Sequence, residues 1–274
     1  MDFPLARQQF YQEIHQADEQ IDLAKAALHL AQEEYPLMAI EPYLDRLDAI
    51  AAEVARRLPA ERYPLRVIQT INQYLYDELG FSGNTEDYYD PRNSYLNEVL
   101  ERGIGIPISL SLVYLEVAKR IDFPMVGVGM PGHFLIRPAV EEMGVLVDPF
   151  QGGETLFPSD CQERLQELYG RSVPLQPEFL VAISPRHFLA RMLTNLKGIY
   201  LSQNDASRTL AAIERILLLF PNAVVEQRDR GILYYQAGRW IEATQDLRNY
   251  LLNAPTATDA GFIRQLVERM EQTR

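Results

Sequence analysis

Two residues of this chain are of the kind that act together in acyl-transfer chemistry. His133 lies in Pro131-Gly132-His133-Phe134-Leu135-Ile136, and Asp148 in Val147-Asp148-Pro149-Phe150. An imidazole serves as a general base, and a carboxylate beside it fixes its tautomer and orientation. Such a pair ordinarily serves a thiolate at a helix start, where the dipole and free N–H groups favour the anion. The sole cysteine, Cys161, comes after both residues in the chain. The stretch where a preceding nucleophile belongs reads Gly105-Ile106-Pro107-Ile108-Ser109. The chain carries a base and an orienting acid without the usual reactive atom.

Ser109 is the nearest hydroxyl to that place. It is either a serine nucleophile served by His133 or a small polar residue satisfying a backbone group in the first helical turn. Cys161 sits in Ser159-Asp160-Cys161-Gln162-Glu163, a helix start after Pro158, where a lowered thiol pKa would suit a nucleophile. Upstream runs a long polar and aromatic loop, Ser82 to Asn93. In and just after it, Asp90, Asn93 and Asn97 are either cleft-lining residues or caps and turn-closers. Tyr88 and Tyr89 either stack over the cleft or cover the helix beneath.

Several elements must position these groups. In the first eighty residues, Ala24, Ala27, Leu28 and Ala31, then Leu44, Leu47, Ile50, Ala51 and Val54, recur at helical spacing. Pro36, Pro59 and Pro64 punctuate them. A further helix is expected over 65–79, stopped by Gly80. A short helix is expected over 94–100. Pro107 suits the first turn of the next helix, where its missing N–H costs nothing, and Leu110, Val113, Tyr114 and Ala118 turn inward there. After Pro124 the period changes. Residues 125–129, 134–136 and 145–147 read as strands, with 139–144 as the turn between the last two.

The tail returns to helix and repeats. A shift of 34 residues lays Tyr200 on Tyr234, Ile213 on Leu247, Leu217 on Leu251 and Pro221 on Pro255, the tetratricopeptide period. Gly231, Tyr234, Gly238, Trp240, Ala243, Leu247 and Pro255 fall on the small, aromatic and proline positions. The first copy is degraded, with Lys197, Asn204 and Thr209 where small residues are preferred. Tyr234 and Trp240 are read as repeat-packing residues, and Phe262 to Met270 as a capping helix.

Composition sets bounds. The chain has 274 residues, 47% apolar and 23% charged, enough for a sizeable folded core. Its formal net charge of −12 opposes nucleic acid and anionic lipid on average. One cysteine excludes an internal disulfide, and the four histidines have no ligand-like spacing. Neither metal nor cofactor is expected. No apolar run approaches a membrane span, and Met1-Asp2-Phe3-Pro4 lacks the order of a secretion signal. A cytoplasmic protein is expected.

The order of helix start, strand with Gly132-His133-Phe134, turn, and Asp148-Pro149 resembles the transglutaminase-like superfamily, which shares its Cys-His-Asp layout with papain-like proteases. Asp122-Phe123-Pro124 takes the place of the Gly-Ile-Pro at that family's helix end. Counting back from Pro124 puts Pro107 at the cysteine's place, with Ser109 two residues on. A narrower likeness lies in Phe81-Ser82-Gly83-Asn84, in the run from Asp87 to Asn97, and in Gly105 to Leu110. These resemble the SirB-type regulator family, and the likeness extends from about Leu28 to Leu251. It implies an α+β fold with a helical N-terminal region over 1–80, a transglutaminase-like core with a small antiparallel sheet over 81–180, and helical repeats over 181–274.

Three functions stay open on this footing. The favoured one is a non-catalytic, regulatory module that binds a peptide or protein through the old cleft and the repeats. The second is a hydrolase or acyl-transfer enzyme using Ser109, His133 and Asp148. The third is a structural subunit of a larger assembly.

Overall fold

The computed structural model describes residues 4–140 and 144–272. The opening Met1-Asp2-Phe3 and residues 141–143 of the turn expected over 139–144 lie outside the described residues. The chain divides into two compact units, Met1–Met192 and Leu193–Arg274.

The first unit begins with α1 (Leu5–Ile14), α2 (Leu23–Glu34), α3 (Glu41–Arg57) and α4 (Pro64–Asn72). Their boundaries obey local chemistry. The Asp22 carboxylate accepts the Lys25 N–H to start α2. Proline opens both α3 and α4. The helix expected over 65–79 is regular only to Asn72. It continues as a π-helix over Gln73–Glu78, and the Leu79 N–H reaches back to the Tyr74 carbonyl at 3.0 Å. Of the stripe expected to turn inward, Val67, Ile68, Ile71 and Leu75 are buried, while Tyr74 is half-buried with the Arg57 guanidinium over its ring at 4.4 Å.

Next come the two-residue strands β1 (Ser82–Gly83) and β2 (Ile104–Gly105), which pair in parallel, and between them α5 (Leu96–Arg102). α6 (Pro107–Arg120) is the central element. Eleven consecutive residues, Ile108 to Ala118, are buried, as befits a helix enclosed on all sides. Its one buried acid, Glu116, pairs with Arg120 a turn later.

The period change after Pro124 yields a four-stranded antiparallel sheet of β3 (Met125–Val128), β4 (Leu135–Pro138), β5 (Leu146–Asp148) and β6 (Glu154–Leu156), in that order. β6 and the β1–β2 pair were not legible from alternation, since two or three residues carry too little pattern. On one face, Val128, Leu135, Leu146 and Leu156 pack with Cys161 and Leu165 of α7 (Pro158–Tyr169). Ala182 and Ile183 close the β3 edge, the latter donating its N–H to the Gly127 carbonyl.

α8 (Pro185–Ser202) runs across the division between the units. The second unit continues with α9 (Ala206–Leu219), α10 (Val224–Gln236), α11 (Trp240–Asn253) and α12 (Ala260–Gln272). Tyr234, Ala243, Leu247, Tyr250, Ile263, Leu266, Val267 and Met270 form its core. The three residues of the degraded copy each have a local use. Lys197 is nearly buried between Glu226 at 2.7 Å and Asp229 at 2.6 Å. Thr209 donates its hydroxyl to the Asp205 carbonyl, and Asn204 takes a φ of 57° at the bend. Trp240 opens α11 and stays 37% exposed, while the Arg239 guanidinium covers the Tyr234 ring at 4.1 Å.

Candidate functional site

The loop over 82–94 is stitched to the start of α6. The Ser82 and Asn84 N–H groups donate to the Gly103 and Gly105 carbonyls at 2.8 and 2.9 Å. Asn93 clasps the loop from inside. Its fully buried amide donates to the Asp87 and Tyr88 carbonyls and accepts from the Asn84 amide at 3.1 Å. Asp90 caps the short 3₁₀ turn Pro91–Ser94 through the Arg92 N–H and pairs with Arg92 at 2.8 Å and Arg102 at 3.5 Å. Burial acts to raise its pKa, but the hydrogen bonds from Arg92 outweigh this and hold the carboxyl below its ordinary value. Asn97 lies on α5, 3% exposed, and its Oδ1 makes no hydrogen bond among the described residues.

Pro107 forms the first residue of α6 and is half-buried. Ser109 is fully buried. Its Oγ donates to the Asn93 carbonyl at 2.5 Å and accepts the Ile106 N–H at 3.0 Å. Both directions of the hydroxyl are therefore spent on the backbone around the helix start.

His133 stands two residues ahead of β4, half-buried. Its N–H closes a turn onto the Met130 carbonyl, with Gly132 at a φ of +75°. That positive φ is what calls for glycine; an added Cβ would meet only the movable end of the Leu168 side chain, at 2.6 Å. Ile136 pairs with Val147, which sets Asp148 across from Leu135, one diagonal step from His133. Burial pushes the His133 pKa down. The Arg164 charge adds to that, and Asp148 and Glu167 oppose it.

Asp148 ends β5, buried and on the face of the sheet that meets α7. Its Oδ1 accepts the Phe150 and Gln151 N–H groups at 3.0 and 3.3 Å, and its Oδ2 accepts Arg164 Nη1 at 2.5 Å. Arg164 Nη2 donates to Glu154 at 2.5 Å. Among the described residues no hydrogen bond joins His133 to Asp148, or Ser109 to His133. In place of the direct His133–Asp148 bond expected of such a pair, the carboxylate is held by the Arg164 guanidinium and by the turn after β5.

Tyr88 reaches this turn. Its ring meets the Phe150 ring edge-on at 6.2 Å and the Tyr89 ring at 5.3 Å. Phe150 also lies where a side chain on Gly83 would be, 2.5 Å from that position, so the loop closes onto the Asp148 turn only with glycine there. Burial raises the Tyr88 pKa, with Tyr89 adding and Arg191 opposing. The structure thus brings Asn93 to Ser109 and Tyr88 to the Asp148 turn.

Sequence reading missed three residues. Arg164 falls on the stripe of α7 between Cys161 and Leu165, and a charge on a buried stripe is a signal for a paired site. Tyr76 lies within the π-helix; burial, with Tyr114 and Asp148 nearby, lifts its pKa well above the usual phenol. Arg191 lies on α8, beyond the motifs. Among the described residues no three of His, Cys, Asp and Glu cluster so as to hold a metal ion. No described helix is long and apolar enough to cross a membrane.

Comparison with known proteins agrees with this architecture. A family model described as "Transglutaminase-like superfamily" matches residues 41–194, and one described as "Tetratricopeptide repeat" matches residues 196–268. The UPF0162 protein of Xylella fastidiosa strain 9a5c is 37% identical over 257 residues, covering 90% of this chain and 89% of that protein. The UPF0162 protein PA3419 of Pseudomonas aeruginosa is 31% identical, covering 89% and 88%. Human F-box only protein 21 is 31% identical over 193 residues, covering 65% of this chain and 29% of that protein. The match over residues 41–194 and the likeness to the Xylella protein along 90% of the chain show that it belongs to the transglutaminase-like superfamily, in the group represented by the UPF0162 proteins.

Proposed function

We propose that the protein is a non-catalytic, SirB-type regulatory module that binds a peptide or protein. The observation that carries this reading is the commitment of the groups a hydrolase would need. Pro107 supplies neither a proton nor a nucleophilic lone pair. The Ser109 hydroxyl is spent on Asn93 and Ile106. The Asp148 carboxylate is held by Arg164 rather than by His133. His133 alone would act as a general base toward water, an effect worth about 10²–10⁴-fold, against the roughly 10⁶-fold or more of an enzyme. Tyr88, Asp90, Asn93 and Asn97 then belong to a frame that shapes a binding surface rather than one that breaks bonds.

The repeats support the same reading. A cavity of about 460 Å³ in the second unit is floored by Tyr200, Leu201, Ile213, Ile232 and Leu233. Its nearby cations are already paired: Lys197 with Glu226 and Asp229, Arg228 with Asp229 and Asp259. That chemistry favours an apolar side chain of a protein partner. The regions 1–80, 81–180 and 181–274 would act as support, cleft and repeat surface, in a cytoplasmic setting.

The test is a pair of assays on full-length protein. Pull-down from native lysate compares wild type with His133→Ala, and a partner retained by the first and lost by the second is expected. Hydrolysis of small esters and peptides is measured alongside. Turnover by wild type that Ser109→Ala abolishes, with the fold intact, would replace this reading with a serine hydrolase. Thiol-dependent hydrolysis by Pro107→Cys would show that the frame is a protease-like site lacking only its nucleophile.

A further inference from the structure

Arg191 occupies an unusual position for a guanidinium. It lies on α8 three residues after Phe188, on the same face. Phe188 is buried and meets the Phe134 ring edge-on at 5.2 Å, and the Arg191 guanidinium lies over that same ring at 5.2 Å. Room for it is built into β3 and its continuation. A side chain on Gly127 would meet Phe134 at 2.9 Å, and one on Gly129 would meet Arg191 Nη1 at 3.0 Å. The residue keeps an exposed surface, yet packing crowds its charged end, and burial draws its pKa below the ordinary value.

A cation so placed ordinarily has an acid beside it. The chain has 38 acids to 26 bases, and Arg7, Arg57, Arg120, Arg164 and Arg230 each hold a carboxylate within 3 Å. Among the described residues, Arg191 has no carboxylate within 4 Å, and its guanidinium makes no hydrogen bond. The neighbour whose titration it feels is Tyr88. The Tyr88 hydroxyl makes no hydrogen bond among them either, and its raised pKa keeps the proton available for donation. Tyr88 is 40% exposed and rests on Phe150, beside the Asp148 turn.

We infer that Arg191, held over the Phe134 ring beside His133, is the anchor for a carboxylate on the peptide that this cleft binds. A planar guanidinium matches a planar carboxylate through two parallel N–H bonds. One unpaired cation suits a monoanion. A phosphate dianion would call for a second free cation, and Arg164 is saturated by Asp148 and Glu154. The exposed Tyr88 and Tyr89 rings fit an apolar or aromatic residue next to the acid. The inference rests on the binding-module reading and specifies what that module recognises.

The experiment uses full-length protein and capped dipeptides, with binding read from the side-chain Nε–H signals of arginine in nitrogen-15 spectra. Acetyl-Phe-Glu-amide is compared with acetyl-Phe-Gln-amide, and acetyl-Phe-Gly with a free carboxyl end tests the chain terminus as the source. At least tenfold tighter binding of a carboxylate probe than of the glutamine twin is expected, with the Arg191 signal moving. Whichever carboxylate probe wins identifies the source. Arg191→Gln should erase the preference while keeping the wild-type melting temperature, and Gly129→Ala should weaken it by displacing the guanidinium. Equal binding of all three dipeptides, or a preference that survives Arg191→Gln, would overturn the inference. So would tighter binding of phenyl phosphate than of either carboxylate. Ester turnover that depends on Ser109 would instead defeat the binding-module reading, whatever the dipeptides show.

Discussion

Arg164 Nη1 donates to Asp148 Oδ2 at 2.5 Å, and this bond, rather than one from His133, satisfies the buried carboxylate. The ion pair is shielded, with the two side chains 17% and 4% exposed. Arg164→Gln should therefore cost about 3 kcal/mol, because it leaves a charge buried with only backbone partners. Chemical denaturation of wild type and variant measures it.

The same substitution should change how His133 titrates. Its folded pKa lies below the ordinary 6.5, first through burial and then through the Arg164 charge. A depressed histidine favours the neutral ring in the fold. Its contribution to stability is present above the unfolded pKa and is lost as pH falls through the folded one. Arg164→Gln removes one depressing charge and frees Asp148 to attract the proton. The His133 midpoint, read from ring carbon shifts, should move up; an unchanged or lower midpoint would contradict the proposed electrostatics.

Ser109→Ala should weaken the fold without abolishing partner binding. It strands the Ile106 N–H and removes the hydroxyl from the Asn93 carbonyl, a loss of about 1–3 kcal/mol for buried groups. Thermal melting together with the dipeptide titration separates the two effects.

Cys161 should resist alkylation in the folded protein. It is fully buried beside Leu165, and burial pushes its thiol up to about 11. At pH 8 roughly one thiol in a thousand would be ionised, apart from any barrier to access. Labelling by iodoacetamide should track the rate of unfolding. Rapid labelling of folded protein, with loss of binding, would reverse this assignment.

Restoring a small residue at position 197 should destabilise the repeats, although repeat consensus favours it. Lys197→Ala removes the cation between Glu226 and Asp229 and leaves two acids facing each other. A cost of about 3 kcal/mol is expected for a pair this sheltered, measurable as a lower melting temperature.

How much of the molecule was legible in the chain varies by element. The helical stripes of Leu47–Val54 and Val67–Leu75, the proline at the start of α6 and the strands after Pro124 were all visible, because periodicity and proline sterics act over a few residues. The 34-residue shift exposed the repeats for the same reason. The partners of Asp148 were not visible. Arg164 is sixteen positions away, on a helix whose rotation is set by Cys161 and Leu165, and a local pattern does not say which charge that rotation presents. Nor did the sequence show that Ser109 and Asn93 meet, since their bond depends on the parallel pairing of two dipeptides, Ser82-Gly83 and Ile104-Gly105.

The π-turn after Asn72 has a consequence for chain length. An α-helical turn reaches back four residues, but the Leu79 N–H reaches back five, to Tyr74. One more residue is wound into this stretch than a regular helix would hold. Deleting a single residue from 73–78 would let the turn relax to the α form, leaving the flanking chain in register but re-aiming the side chains within the stretch. Tyr76, whose phenol feels both Tyr114 and Asp148, lies within that stretch. The aim of that ring is therefore controlled by an insertion or deletion, a kind of change that no substitution scan would sample.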